Sequence, residues 1–148
     1  MLLADIWQVY GVMAFAAFFA GTFLPMASEG VLAGLVATRP ELAGAIWLVA
    51  SFANTLGSAF NWAVGRYCLH WRDRRWFPIK AAQLDRASGH FNRYGMPALL
   101  FAWLPIVGDP LTFVAGVLRV RFPLFIVLVA VGKGGRYAAI LWGVGILS

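Results

Sequence analysis

The stretch WLPIVGDP, residues 103–110, decides how this chain folds, because it places two prolines, a glycine and an aspartate inside an apolar run. Pro105 and Pro110 remove backbone donors, and Gly108 permits a positive φ angle. As helices, the apolar arms on either side, 96–104 and 111–118, would each reach about 12 to 14 Å. The stretch therefore predicts a turn between two short helical arms.

Composition places this turn in a membrane. Of the 148 residues, 61% are hydrophobic and 12% are charged, and the mean hydropathy is +0.77. Water-soluble domains carry more polar surface. Apolar blocks at 11–27, 42–64, 96–118 and 122–147 have the length of bilayer-embedded segments. We predict one all-α integral membrane domain over 1–148, without a signal peptide, since the N-terminus lacks basic residues before its first apolar run.

The chain contains a weak internal repeat with an offset of 80 residues. The matched pairs include Pro25 with Pro105, Glu29 with Asp109, Arg39 with Arg119, and Trp62 with Trp142. We predict repeat 1 at about 1–66, a basic connector at 67–95 and repeat 2 at 96–148. Each repeat has a broken apolar segment followed by a long helix, 42–65 or 122–147. These helices would be about 36 and 39 Å long, enough to span the membrane.

Two architectures fit the broken segments. Each could be a re-entrant hairpin with its tip near the bilayer centre, or a kinked helix that crosses completely. Two hairpins place the basic connector, Arg119 and Arg121 on one face, with Arg39 opposite. Two crossings place the connector opposite all three arginines. The positive-inside rule favours the hairpins, with a cytoplasmic connector, both termini outside and inverted halves as in many transporters.

The connector is rich in arginine and aromatic residues. In a membrane protein this mixture indicates an interfacial helical segment on anionic headgroups rather than nucleic-acid binding. Cys68, His70 and His90 show no metal-ligand spacing, so we expect no metal and no cofactor. No nucleophile–base pair or phosphate loop occurs, and GKGGR at 132–136 lacks P-loop spacing, so we do not expect an enzyme.

Four ionisable residues lie in or beside apolar blocks, where each costs about 2.5 to 3.5 kcal/mol at a helix centre. They are Glu29, Asp109, Lys133 and Arg136. Lys133 and Arg136 lie three residues apart on nearly one helix face, so opposite charges at similar depth would pair. One interpretation is buried salt bridges that dock the hairpins. The other is a pathway in which the acids are protonatable and the cations hold a lipid phosphate.

Asn54 is a polar break in the predicted helix 42–65. With Thr55, Ser58 and Asn61 it offers hydrogen bonds between helices, and Gly57 permits close approach. Packing is one role for Asn54, and lining the pathway is the other.

Three stretches together resemble the DedA family, also called the SNARE-associated Golgi or VTT-domain family, in its short YqaA-like branch. They are FLPMASEGVLAGL at 23–35, FAWLPIVGDPLTFVAGVLR at 101–119 and GKGGRY at 132–137. The resemblance covers about 12–145 and implies two re-entrant hairpins, with tips at Pro25 and at Pro105, Gly108 and Pro110. It also implies lipid movement across bilayers and maintenance of the membrane potential. Typical members carry arginines where this chain has Ala102 and Gly108.

The first functional hypothesis is a lipid transporter or scramblase of the bacterial inner membrane, driven by the proton motive force. Its substrate would be a phospholipid or a lipid of the undecaprenyl phosphate type. The alternatives are a proton-coupled transporter of small solutes or ions, and a non-transporting scaffold. The expected partners are membrane lipids with their phosphate headgroups, and protons. A homodimer is one way to shield the hairpins of so short a chain.

Overall fold

The computed structural model describes residues 2–22, 27–67, 74–75, 80–104 and 107–145. Every regular element within these ranges is helical, as predicted. The α-helices are α1 Leu2–Thr22, α2 Ala27–Thr38, α3 Ala43–Tyr67, α4 Ala81–Tyr94, α5 Gly108–Val117 and α6 Phe122–Gly143. Two 3₁₀ helices, η1 Pro40–Leu42 and η2 Met96–Phe101, lie between them. Pro25, Cys68, His70 and Pro105 lie outside the described residues.

Three helices are long and apolar enough to cross a membrane, covering Ala4–Thr22, Pro40–Tyr67 and Phe122–Gly143. The sequence predicts the second and third. The first differs from the predicted block 11–27, because α1 begins at Leu2 and passes through the polar residues Asp5 and Gln8. Its 21 residues make a helix of about 31 Å, whereas the 12 residues of α2 reach about 18 Å.

The described residues form two compact units. The first unit comprises 1–57 and 133–148. In it α1 packs against α2, and their apolar faces meet parts of α3 and α6. Its fully buried side chains include Met13, Leu32, Ile46 and Tyr137. This core holds the start of α2 beside α6, where Glu29 and Arg136 lie.

The second unit comprises 58–132. In it η2 and α5 pack against each other, and α4 packs against both. Ala87 of α4 is buried among Ala98, Leu111 and Val114. The apolar face of α4, which the sequence assigns to an interfacial segment, is therefore covered by the protein itself. α4 ends at Gly95, whose φ of 66° is a conformation that glycine adopts readily.

The joint between α5 and α6 is a Schellman motif. Arg119 lies in the left-handed region with φ 57°, its N–H donates to Gly116 O, and the N–H of Val120 donates to Ala115 O. Arg39, its partner in the 80-residue repeat, has φ −138° and precedes η1. The two joints therefore differ in backbone conformation, and the inverted repeat stays a prediction.

Candidate functional site

An ion pair joins the start of α2 to α6. Glu29 lies in the first turn of α2, and its carboxylate accepts a hydrogen bond from the guanidinium of Arg136. The Arg136 side chain is 16% exposed and that of Glu29 is 32% exposed, so the ion pair is partly buried. Charge-assisted pairs of this kind are stronger than neutral hydrogen bonds. The sequence predicts such pairing for Glu29, and the structure confirms it with Arg136.

A buried chain of hydrogen bonds lies in the same unit. The Lys133 ammonium donates to the side-chain oxygen of Asn54 and, at 3.4 Å, to its backbone oxygen. Asn54 Nδ2 donates to the Tyr137 hydroxyl at 2.6 Å, and that hydroxyl donates to Ser28 Oγ at 2.9 Å. All four side chains are buried. This series of hydrogen bonds thus connects the buried Lys133 on α6 to Ser28, the residue that precedes Glu29.

Helical spacing explains why these groups meet. Lys133, Arg136 and Tyr137 lie at positions i, i+3 and i+4 on α6, which places them on one face. Ser28 and Glu29 are consecutive in the first turn of α2. A further bond from the Trp47 indole N–H to Gly134 O, 3.0 Å long, fastens α3 to α6 beside them. We call Ser28, Glu29, Asn54, Lys133, Arg136 and Tyr137 the α2–α6 cluster.

Sequence reasoning assigned four members of the α2–α6 cluster and missed two. Glu29, Asn54, Lys133 and Arg136 were predicted site residues, and the structure brings them together. Ser28 and Tyr137 were not predicted as site residues. For Tyr137 a signal was present, because it follows Lys133 by one helical turn and a buried hydroxyl in such a helix needs a partner.

Asp109 lies in the second unit, in the first turn of α5. Its backbone oxygen accepts a hydrogen bond of 2.7 Å from Thr112 Oγ1, which is 3.3 Å from Asn61 Nδ2. This confirms the interhelical bond predicted for Asn61. Thr55 instead bonds within its own helix, to Ser51 O, so its predicted interhelical bond is wrong. A shared pathway for Asp109 and Glu29 stays a prediction.

Gly108 and Ala102 show how the second broken segment is packed. Gly108 is the first residue of α5 and does not use the positive φ that glycine permits. It is needed instead for close approach, because a Cβ there would lie 2.0 Å from Ala102 O. Both residues are buried, and Pro110 beside them is buried as well. The two positions that carry arginines in the resembling family are thus filled by a tight contact of small residues.

These features define a class of protein: an all-helical membrane protein that buries cations and hydrogen-bonded polar groups between apolar helices. Ionisable groups inside membrane helices are rare and usually pair with one another or face the interior of the helix bundle. Residues 8–143 match the VTT domain, so the chain belongs to the VTT-domain, or DedA, family.

Similar proteins occur in bacteria. A protein of Haemophilus influenzae described as uncharacterized is 34% identical, and the similarity covers 94% of this chain and 90% of that protein. Inner membrane protein YqaA of Escherichia coli K12 is 32% identical over 84% of this chain and 83% of its own length. Its counterpart in Shigella flexneri has the same values. No solved structure matches the chain.

Proposed function

We propose that this protein moves phospholipids, or a lipid phosphate of the undecaprenyl type, across the bacterial inner membrane in response to the proton gradient. This would support membrane homeostasis. The observation that carries the proposal is the ion pair between Glu29 and Arg136 beside the buried chain from Lys133 to Ser28. We infer the inner-membrane location from the relatives named inner membrane protein YqaA.

The ion pair provides a chemical basis for coupling. A planar guanidinium binds carboxylate and phosphate in the same bidentate geometry. Glu29 and a lipid phosphate therefore compete for Arg136. A proton that enters from the acidic side and neutralises Glu29 weakens the ion pair and releases Arg136 to the phosphate. Loss of that proton on the other side restores the pair and expels the headgroup.

The proposal includes the finer architecture of two re-entrant hairpins in inverted repeats. The six residues of η2 reach about 12 Å and the ten residues of α5 about 15 Å. Each arm therefore covers about half of a hydrocarbon core of 30 Å. In the first unit α1 packs against α2, as the two arms of a helical hairpin would. Because α1 is about 31 Å long, roughly half of it would lie outside the hydrocarbon core if the tip is at the bilayer centre.

The test is lipid movement in proteoliposomes with and without an imposed pH gradient. Fluorescent phosphatidylglycerol and a fluorescent undecaprenyl phosphate analogue serve as separate substrates. Glu29→Gln should remove the gradient-driven component, because the amide cannot exchange a proton. Arg136→Gln should lower movement under both conditions, because the phosphate loses its partner.

A matched control separates this role from general loss of charge. Glu41 is an acid of the same unit, but its side chain is 59% exposed and pairs with Arg39 at 3.8 Å. Glu41→Gln should transport like the wild-type protein. Full gradient-driven transport by Glu29→Gln would overturn the proposal. Proton flux without lipid movement would favour a solute transporter.

A further inference from the structure

A cavity of about 260 Å³ lies in the second unit, between α4 and the segment that includes η2 and α5. It is lined mainly by apolar side chains, namely Ala98, Phe101, Leu104 and Leu111. His90 and Tyr94 of α4 are the polar residues of its lining, and both are exposed. The lining is therefore mainly apolar, and its polar part lies on α4, where His90 and Tyr94 are exposed.

A strip of basic side chains lies on α4 beside this polar lining. Successive helical residues are about 100° apart, which places Arg86, His90 and Arg93 within an arc of roughly 60° on α4. Tyr94 follows about 40° further round, and beyond it lies the apolar face that packs on α5. All three members of the strip are exposed. Asp85, the acid of α4, lies roughly 80° beyond Arg93 on the far side.

Contacts among these side chains hold the strip in place. His90 Nδ1 lies 2.8 Å from Arg86 O, and the His90 ring lies 6.3 Å from the ring of Tyr94. The Arg93 guanidinium lies over the Tyr94 ring, 5.5 Å from its centroid. The Arg93 cation and the Tyr94 ring, which lines the cavity, are therefore positioned together.

An apolar cavity beside basic side chains suits an amphiphilic ligand. Sites for a complete small molecule usually measure about 300 to 1,000 Å³, so this cavity holds part of a lipid chain rather than a whole lipid. A chain end inside the cavity would place its headgroup near Arg86 and Arg93, where a negative charge is favoured. Exposed arginines of this kind are attracted to anionic headgroups.

We propose that this cavity is a binding site for one hydrocarbon chain of an anionic membrane lipid, whose headgroup is held by Arg86 and Arg93 of α4. The proposal rests on the proposed function, because it specifies that the lipid on which the protein acts is anionic. It assigns binding, and not movement, to a part of the molecule outside the α2–α6 cluster.

Photocrosslinking tests the proposal with the full chain in phosphatidylcholine vesicles that contain phosphatidylglycerol. The probe is phosphatidylglycerol with a diazirine at the end of one acyl chain, and the matched probe is phosphatidylcholine with the same chain. Crosslinks from the anionic probe should concentrate in residues 90–111. Arg86→Gln with Arg93→Gln should reduce them about ten-fold or more, since two cations near an anionic lipid are lost.

Two further variants serve as controls, one for loss of charge and one for loss of the cavity. Arg119→Gln with Arg121→Gln removes two exposed arginines of the same unit, in the joint between α5 and α6, and should leave the crosslinks unchanged. Leu104→Trp fills the cavity without changing charge, and should lower crosslinking by both probes. Equal crosslinking by both probes in the wild type, or equal losses in the two arginine pairs, would overturn the proposal.

Lipid movement measured in the same vesicles keeps the two proposals separable. Glu29→Gln should still show the crosslinks in 90–111, because the cavity does not contain Glu29. Movement by the wild-type protein without these crosslinks would refute the cavity site alone. Crosslinks without movement would refute the transport function alone.

Discussion

The Tyr137 hydroxyl is the centre of the α2–α6 cluster, since it accepts from Asn54 on α3 and donates to Ser28 on α2. Its own helix supplies Lys133 and Arg136, which bond to Asn54 and Glu29. One phenol group therefore connects three helices. In a membrane the energy of a single interhelical hydrogen bond averages about 0.6 kcal/mol and reaches about 1.7 kcal/mol.

Tyr137→Phe should therefore destabilise the protein by roughly 1 to 2 kcal/mol, because two buried hydrogen bonds are lost without a change of volume. The measurement is the fraction of protein that stays monodisperse in detergent after heating. A drop in Tm of roughly 5 °C is expected for a chain of this length.

Tyr67→Phe is the control for this substitution. Tyr67 is 67% exposed, and the ring that Arg66 approaches at 5.8 Å is retained in phenylalanine. Its Tm should match that of the wild-type protein. A Tyr137→Phe protein as stable as Tyr67→Phe would show that the hydroxyl contributes nothing to helix association.

At the scale of elements, the close approach of α1 to α3 depends on a glycine. A Cβ at Gly57 would lie 2.5 Å from Phe18 O and 2.9 Å from Gly21 Cα. Both are backbone atoms, so the helices must separate to accept a methyl group. This confirms the close approach predicted for Gly57 from the sequence.

Gly57→Ala should destabilise the protein by roughly 1 to 3 kcal/mol through overpacking. Gly34→Ala is the matched control, because a Cβ at Gly34 meets nothing within 4 Å. That control should be neutral or more stable by up to about 1 kcal/mol, since alanine is the better helix former. Thermal unfolding of the two variants in the same detergent decides the matter, and equal Tm values would contradict the proposed contact.

The sequence predicts the long helices well, because continuous apolar runs determine them. The prediction 42–65 lies within two residues of α3, and 122–147 begins at the first residue of α6. It places the start of α1 too late, because the apolar block 11–27 begins only after polar Gln8, whereas the helical backbone continues through Gln8 and Asp5. Ser28 and Tyr137 could not be paired from sequence, since their contact depends on how α2 and α6 cross.

The sequence alone does not show what Gly108 contributes. Glycine permits a positive φ, but its lack of a Cβ serves equally well where two backbones touch. Only the distance to Ala102 O distinguishes these roles. Charged residues were the most informative signal, because Glu29, Lys133 and Arg136 are costly in apolar segments and therefore need partners.

At the scale of the whole molecule, the repeats predicted along the sequence and the compact units divide the chain differently. The repeats separate at the connector 67–95, whereas the first unit combines 1–57 with 133–148. A sequence repeat shows which segments are similar, and a compact unit shows which segments pack together. Neither division says how often the chain crosses the membrane, so neither determines the topology.

Cysteine accessibility can count those crossings, because Cys68 is the one cysteine of the chain and can be replaced by serine. Single cysteines at Asp5, Arg39, Arg93 and Arg119 each test one segment. All four positions have accessible side chains, with Arg39 the least exposed at 34%. A maleimide that cannot cross the membrane is applied to intact cells and to inverted vesicles.

The predicted topology gives a distinct labelling pattern. If the second broken segment re-enters, positions 93 and 119 react from the same side, and the positive-inside rule makes it the cytoplasm. If the first segment re-enters, positions 5 and 39 react together from outside. Positions 39 and 93 must differ, because α3 spans the membrane in both architectures. Labelling of 93 and 119 from opposite sides would instead establish a kinked helix that crosses completely, and the turn at WLPIVGDP would then lie inside a single span.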